Sequence, residues 1–260
     1  VSRIYGQHAI EELLEASPDA ILAIVHPPGD PRPEHADLIA RARALGIAIR
    51  ADSSASVRDR GGSRGGTGLG ADLRVPNPVD PDDLRAAPGE PRLVLVLDGV
   101  TDPHNLGAII RTAAAFGADA VIVPKDRSAA LTDAAVRASA GGVAHVPLTR
   151  VTNLSRAIRT LKDRGFWVLG THVEDGVPLW QADLRGPVAL VLGAEGAGLR
   201  PGVLKACDGA IHLPTPGKVR ALNVSVFAGI ACAEVARQQG LAAAARGGRG
   251  NAETQGSSDG

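Results

Sequence analysis

The chain mixes stretches whose apolar residues recur at helical spacing with short unbroken apolar runs, and that pattern predicts most of its elements. Ile4, Ile10, Leu13 and Leu14 keep the helical period, which predicts a first helix over 4–16. The apolar stretch Ala20 to Val25 follows, then a second helical period from Glu34 to Leu45 that runs into Gly46-Ile-Ala-Ile49. The first 50 residues therefore read as a small α/β unit. After residue 91 the rhythm becomes regular. Leu93-Val-Leu-Val-Leu97 is wholly apolar, as expected of a strand covered on both faces. Asn105 to Phe116 reads as a helix and Ala120 to Val123 as the next strand, giving a β-α-β unit that should be parallel. The alternation continues through Ala134 to Ala140, Leu154 to Arg164, Phe166 to Leu169 and Val188 to Leu192. It closes with Ala210 to Leu213 and a long helix from Val224 to Gln238. The fold class this predicts is α/β with a parallel sheet. In such sheets ligands sit beyond the carboxyl ends of strands, so the turns after residues 97, 192 and 213 are where chemistry is expected.

Between the two patterned regions the composition changes. From Ser53 to Gly70 the chain is mostly Ser, Gly and Arg, with Arg58, Arg60 and Arg64 among small residues. Such a segment lacks the apolar side chains that offset ordering entropy, and a mobile loop is expected, either a solvated linker or an arm that gathers onto phosphates. Residues 75–91 hold five prolines, which predicts an extended, semi-rigid connector. The last 20 residues, 241–260, are rich in Gly, Ala and Ser and read as a disordered tail. The boundaries expected are thus 1–74, a linker at 75–91, 92–240, and a tail at 241–260.

Composition narrows the function classes. Apolar residues make up 44% of the 260 but aromatics only 2%, so the core must be aliphatic, and base stacking cannot be a widespread mode of binding. The formal net charge is zero, which argues against a general polyanion-coating protein and leaves any nucleic-acid contact to a local cluster. Cys207 and Cys232 stand alone, without the spacing of a disulfide framework or zinc site; they read as reduced core thiols, and no metal is expected. No apolar run reaches the length of a membrane span. A cytoplasmic protein without membrane contact is the expectation.

Three segments carry candidate chemistry. The first runs from Asp98 to Ala113 and contains Asn105, a candidate helix N-cap, with Arg111 six residues on in an otherwise apolar helix. The second, Val188 to Leu199, is a strand running into glycines 193, 196 and 198 around Glu195. Glycine there permits positive φ and close backbone approach to a ligand. Its spacing is neither that of a dinucleotide fingerprint nor that of a phosphate loop. The third, Ile211 to Gly229, is a proline-rich loop leading into a helix whose first turn holds Asn223 and Ser225, either of which could cap the helix or bond a substrate.

Taken together, Asn-x-Gly-x-x-x-Arg at 105–111, Gly-x-Glu-x-x-Gly-Leu at 193–199 and Leu-Asn-Val-Ser-Val at 222–226 resemble the SPOUT superfamily. Within it they resemble the TrmH/RlmB-type RNA ribose 2′-O-methyltransferases. The resemblance covers residues 92–240, and Tyr5-Gly-Gln-His-Ala9 is similar to the start of the small ribosomal-protein-like substrate-binding domain of the rRNA members. It implies a deep C-terminal trefoil knot, a homodimer through the catalytic domain, and S-adenosylmethionine as cofactor. Gly193, Leu213 and Leu222 would contact that cofactor. Arg111 would be the catalytic residue, with Asn105, Glu195 and Asn223 around it. Residues 1–74 would bind the RNA, expected to be 23S rRNA methylated at a guanosine. A tRNA ribose methyltransferase and a catalytically weakened RNA-binding protein are the alternatives. The last is suggested by Ala221, where family members commonly carry Ser; a second departure is Gly66-Thr-Gly-Leu-Gly70 in place of a His-Gln-Gly-type turn. The resemblance implies that Arg111 takes the hydroxyl proton, which for a guanidine with a pKa above about 12 requires a very large shift; the alternative is that Arg111 stabilises the developing alkoxide while water takes the proton.

Overall fold

A computed structural model describes residues 2–53, 68–173, 175–218 and 221–240. The Arg58, Arg60 and Arg64 cluster and the tail at 241–260 lie outside the described residues. By contacts the chain divides into two compact units. One comprises 1–78, 100–115 and 127–148; the other comprises 79–99, 116–126 and 149–260.

The first unit contains β1 (Ser2–Tyr5), α1 (Gln7–Ala16), β2 (Ile21–His26), α2 (Ala36–Ala44), β3 (Ala48–Ala51) and β4 (Gly70–Leu73), together with α3 (Pro103–Ala115) and α4 (Asp133–Ala138). Its sheet has the order β1-β4-β2-β3, with β4 antiparallel to β1 and β2, and β2 parallel to β3. Two expectations are corrected here. The chain does not begin as one helix over 4–16. Ile4 lies in β1, fully buried and paired with Ala71, and Gly6, at φ +100°, breaks the chain before α1 starts at Gln7. Strand β4 was not foreseen, because Gly70-Ala-Asp-Leu73 carries a single large apolar residue. Gly70 nonetheless fits where a Cβ would press on Val25 and the Ile4 carbonyl.

The second unit is built on β5 (Leu93–Asp98), β6 (Ala120–Pro124), β7 (Leu148–Val151), α5 (Leu154–Asp163), β8 (Trp167–Thr171), β9 (Val177–Pro178), β10 (Val188–Gly193), α6 (Pro201–Leu204), β11 (Gly209–His212) and α7 (Val224–Gln238). The sheet order is β7-β6-β5-β10-β8-β11-β9. From β6 to β9 every pairing is parallel, as the apolar runs predict. All six residues of β5 are buried, and removing one such Leu or Val side chain from water contributes about 1.5–3 kcal/mol. Val94, Val96, Ile122, Val168 and Val191 meet Ile158, Leu161 and Phe166 in one core. Helix α5 starts where the Asn153 side chain accepts the Arg156 N–H at 3.0 Å.

The proline-rich stretch does more than connect. Leu84 belongs to this same core at 4% exposure, the Ala86 N–H bonds to the Arg164 carbonyl, and Asp82 pairs with Arg164 at 2.8 Å. Strands β7 and β9 were also unforeseen, β9 being only two residues long. Both cysteines are unbonded thiols. Burial pushes Cys232 up to about 12, and burial, then Asp208, pushes Cys207 up to about 11. Among the described residues no helix is long and apolar enough to cross a membrane.

Candidate functional site

In the second unit a cavity of about 370 Å³ opens beyond the carboxyl ends of β8, β10 and β11. Its wall is mostly the loop 193–199, closed by Leu213, Leu222 and Phe227. The loop doubles back on itself: the Ala194 N–H bonds to the Gly198 carbonyl at 3.1 Å, and the Gly198 N–H returns to the Ala194 carbonyl at 2.9 Å. Each glycine has its own reason to be there. At Gly193 an added Cβ would run into the backbone of Gly198 and Leu199. Gly196 and Gly198 sit at φ +77° and +65°, where a side chain is strained.

Glu195 and Asn223 come together. The Asn223 amide donates to Glu195 Oε1 at 2.5 Å, while its carbonyl oxygen accepts from the Ser225 N–H at 2.9 Å and so caps α7. The Val224 N–H also reaches Glu195 Oε1, at 3.4 Å. A carboxylate at a helix N-terminus is favoured by the helix dipole. Asn223 therefore caps α7 and at the same time bonds to Glu195 of the cavity wall. Ala221 lines the cavity as well.

Helix α3, in the first unit, carries the other two candidates. Asn105 is not its N-cap. The helix starts two residues earlier, at Pro103, where a missing N–H costs nothing. The Asp102 side chain accepts the His104 N–H at 2.9 Å and its carbonyl the Leu106 N–H at 3.0 Å. Asn105 is instead buried in the first turn, and Arg111 is exposed. Neither lines the cavity. The glycine of this motif packs helices: a Cβ on Gly107 would strike the Ala135 carbonyl and stand 2.6 Å from the Ala138 side chain of α4. One turn on, Gly142 lies against the backbone of Arg111, where a Cβ would be 3.0 Å from its Cα.

Sequence reasoning missed Thr171, the last residue of β8, and His172 just beyond it, both of which line the cavity. The Thr171 hydroxyl accepts from the Gly193 N–H at 3.4 Å, and His172 Nδ1 accepts from the Asp175 N–H at 3.0 Å. The available signal was the rule about carboxyl ends, applied to three strands but not to β8. Among the described residues no group of three or more His, Cys, Asp or Glu side chains could hold a metal ion.

The model of the SpoU rRNA methylase family matches residues 92–233, a span that contains the cavity and all three motifs. The chain belongs to this family. Among relatives of this SpoU protein is the 23S rRNA (guanosine-2'-O-)-methyltransferase RlmB of Shewanella oneidensis. It is 41% identical over 239 residues, which is 91% of this chain and 97% of the relative. Two solved structures share the fold of these SpoU methylases. The SpoU methyltransferase AviRb from Streptomyces viridochromogenes, in complex with AdoMet, has a TM-score of 0.65 at 23% identity, covering 91% of this chain and 90% of its own. The AdoMet-bound rRNA methyltransferase from Sinorhizobium meliloti has a TM-score of 0.64 at 26% identity, covering 90% and 86%.

Proposed function

We propose that this SpoU-family chain transfers a methyl group from S-adenosylmethionine to the ribose 2′-hydroxyl of a guanosine in 23S rRNA. The observation that carries this reading is the cavity made by the glycine loop and the start of α7, in a chain whose relative over nearly its whole length is named for that reaction. The cavity's size falls within the range of small-ligand pockets. Its wall of glycine backbone and aliphatic side chains suits a flat, partly apolar cofactor that is read through main-chain groups.

S-adenosylmethionine supplies an electrophilic methyl on a sulfonium. Gly193, Leu213 and Leu222 would bind and enclose it, and Glu195, held by the Asn223 amide and the Val224 N–H, fixes the loop. The ribose hydroxyl that accepts the methyl group would give up its proton to water. Arg111 donates hydrogen bonds to the developing alkoxide, and Asn105 steadies the first turn of its helix. Residues 1–74 serve as the RNA-binding segment and 92–240 as the methyltransferase, joined through 75–91.

The chain acts as a homodimer through the catalytic domain and carries a trefoil knot. Both follow from the family to which the matched residues 92–233 belong. Incubating the protein with labelled cofactor and separate 23S rRNA and tRNA pools, then digesting to nucleosides for mass spectrometry, tests the reaction. 2′-O-methylguanosine in 23S rRNA is expected. Label confined to tRNA, or found on a base, sinks the assignment.

A further inference from the structure

Asp98 closes β5 with its side chain 1% exposed, and such a carboxylate is costly unless it is fully bonded. Among the described residues its side chain is bonded by Arg200, 102 positions away. The Arg200 backbone N–H donates to Oδ2 at 2.9 Å, and the Arg200 guanidinium donates to Oδ1 through Nε at 2.7 Å and through its terminal nitrogen at 2.7 Å. Arg200 is the residue that follows the cavity loop and directly precedes α6. The start of that loop is tied to the same residue, since Gly193 is the register partner of Asp98 across the β5–β10 pairing. Gly99, next in the chain, stands where a Cβ would lie 3.2 Å from the Ala194 side chain. Both ends of the loop 193–199 are thus fastened on Asp98, and the span between them is shaped by the internal pairing of Ala194 with Gly198 and by the bonds from Asn223 and Val224 to Glu195.

We propose that Asp98 and Arg200 are positioning residues for the cofactor: their pairing holds the glycine loop in the shape that binds S-adenosylmethionine. The inference rests on the functional reading above. The carboxylate gives the loop a fixed closing point, so that its backbone N–H and carbonyl groups are arranged before the cofactor arrives and their ordering is not charged against binding. An amide at position 98 defeats this in either orientation, because its NH₂ would face the Arg200 N–H or the guanidinium, donor against donor. Arg200→Ala keeps the backbone bond and removes the fork. Arg200→Lys restores a charge without the paired geometry.

The test uses the full chain, with S-adenosylmethionine binding measured by calorimetry and initial rates with 23S rRNA. Asp98→Asn should raise the cofactor Kd and KM about tenfold or more while kcat at saturating cofactor falls by less than about threefold. Arg200→Ala should do the same to a smaller extent, and Arg200→Lys should recover part of the loss. Because the Arg200 side chain is about half exposed, Arg200→Ala remains informative if Asp98→Asn fails to fold. A pair that merely supports the fold would lower the melting temperature and leave the folded fraction with wild-type Kd and KM; that result overturns the proposal. Wild-type protein that does not bind the cofactor overturns the functional reading and this inference with it. Tight wild-type binding with unchanged variants overturns this inference alone.

Discussion

The loop 193–199 and helix α3 each contain a glycine whose hydrogen cannot become a methyl group without a collision, and the space saved is used differently. At Gly193 the nearby atoms are the backbone of Gly198 and Leu199, so the chain folds tightly on itself and turns its main-chain groups to a cavity. At Gly107 the nearby atoms belong to Ala135 and Ala138 of α4, so two helices approach closely, and on the same helix Arg111 stays exposed. One region lines a cavity with backbone. The other uses the missing side chain to bring two helices together. A Gly-x-Glu pattern and an Asn-x-Gly pattern look alike in sequence, yet of the two glycines Gly193 lines the 370 Å³ cavity and Gly107 does not.

Three substitutions probe that contrast. Arg111→Ala should have the largest effect, lowering methyl transfer by about 10²–10³-fold, the usual cost of removing a donor to a developing oxyanion. Its cofactor Kd should stay within about twofold, because Arg111 does not line the cavity. Turnover within a fewfold of wild type would remove it from the mechanism.

Gly193→Ala should come next. The added methyl forces the loop open, and calorimetry should register a loss of cofactor affinity of about tenfold or more, in line with the sensitivity of binding to small misplacements. Unchanged affinity would mean that the loop does not hold the cofactor.

Gly107→Ala should be the mildest in function and the most visible in stability. Forcing a methyl between α3 and α4 costs about 1–3 kcal/mol, read as a lower denaturation midpoint, with cofactor affinity unaltered. A variant as stable as wild type but unable to bind the cofactor would reverse the roles assigned to the two glycines.

Much of the sheet was legible because buried parallel strands need wholly apolar runs, and Leu93 to Leu97, Ala120 to Val123 and Val188 to Leu192 are such runs. Short strands were not. Ser2 to Tyr5 and Gly70 to Leu73 become strands by pairing with each other, a fact carried by neither segment. Asn105 was misread as a cap because Asn is a common cap, whereas Asp102 before Pro103 is the better signal for a helix start. Asn223 was readable both ways, and the structure shows it bonding to Glu195 while capping α7.

Alone, the sequence determined the alternation of strands and helices, the aliphatic character of the core and the three motif segments, since these depend on residue type and on spacing within about 20 residues. Tertiary structure alone decided that Thr171 and His172 join the glycine loop at one cavity, that Gly107 serves helix packing, and that Leu84 is core rather than connector. It also decided that the carboxylate of Asp98 is bonded by Arg200 from the far end of the loop. The physical reason is range. Period and propensity act along the chain, whereas burial of a charge or the fit of a missing Cβ depends on which distant segments the sheet order brings side by side.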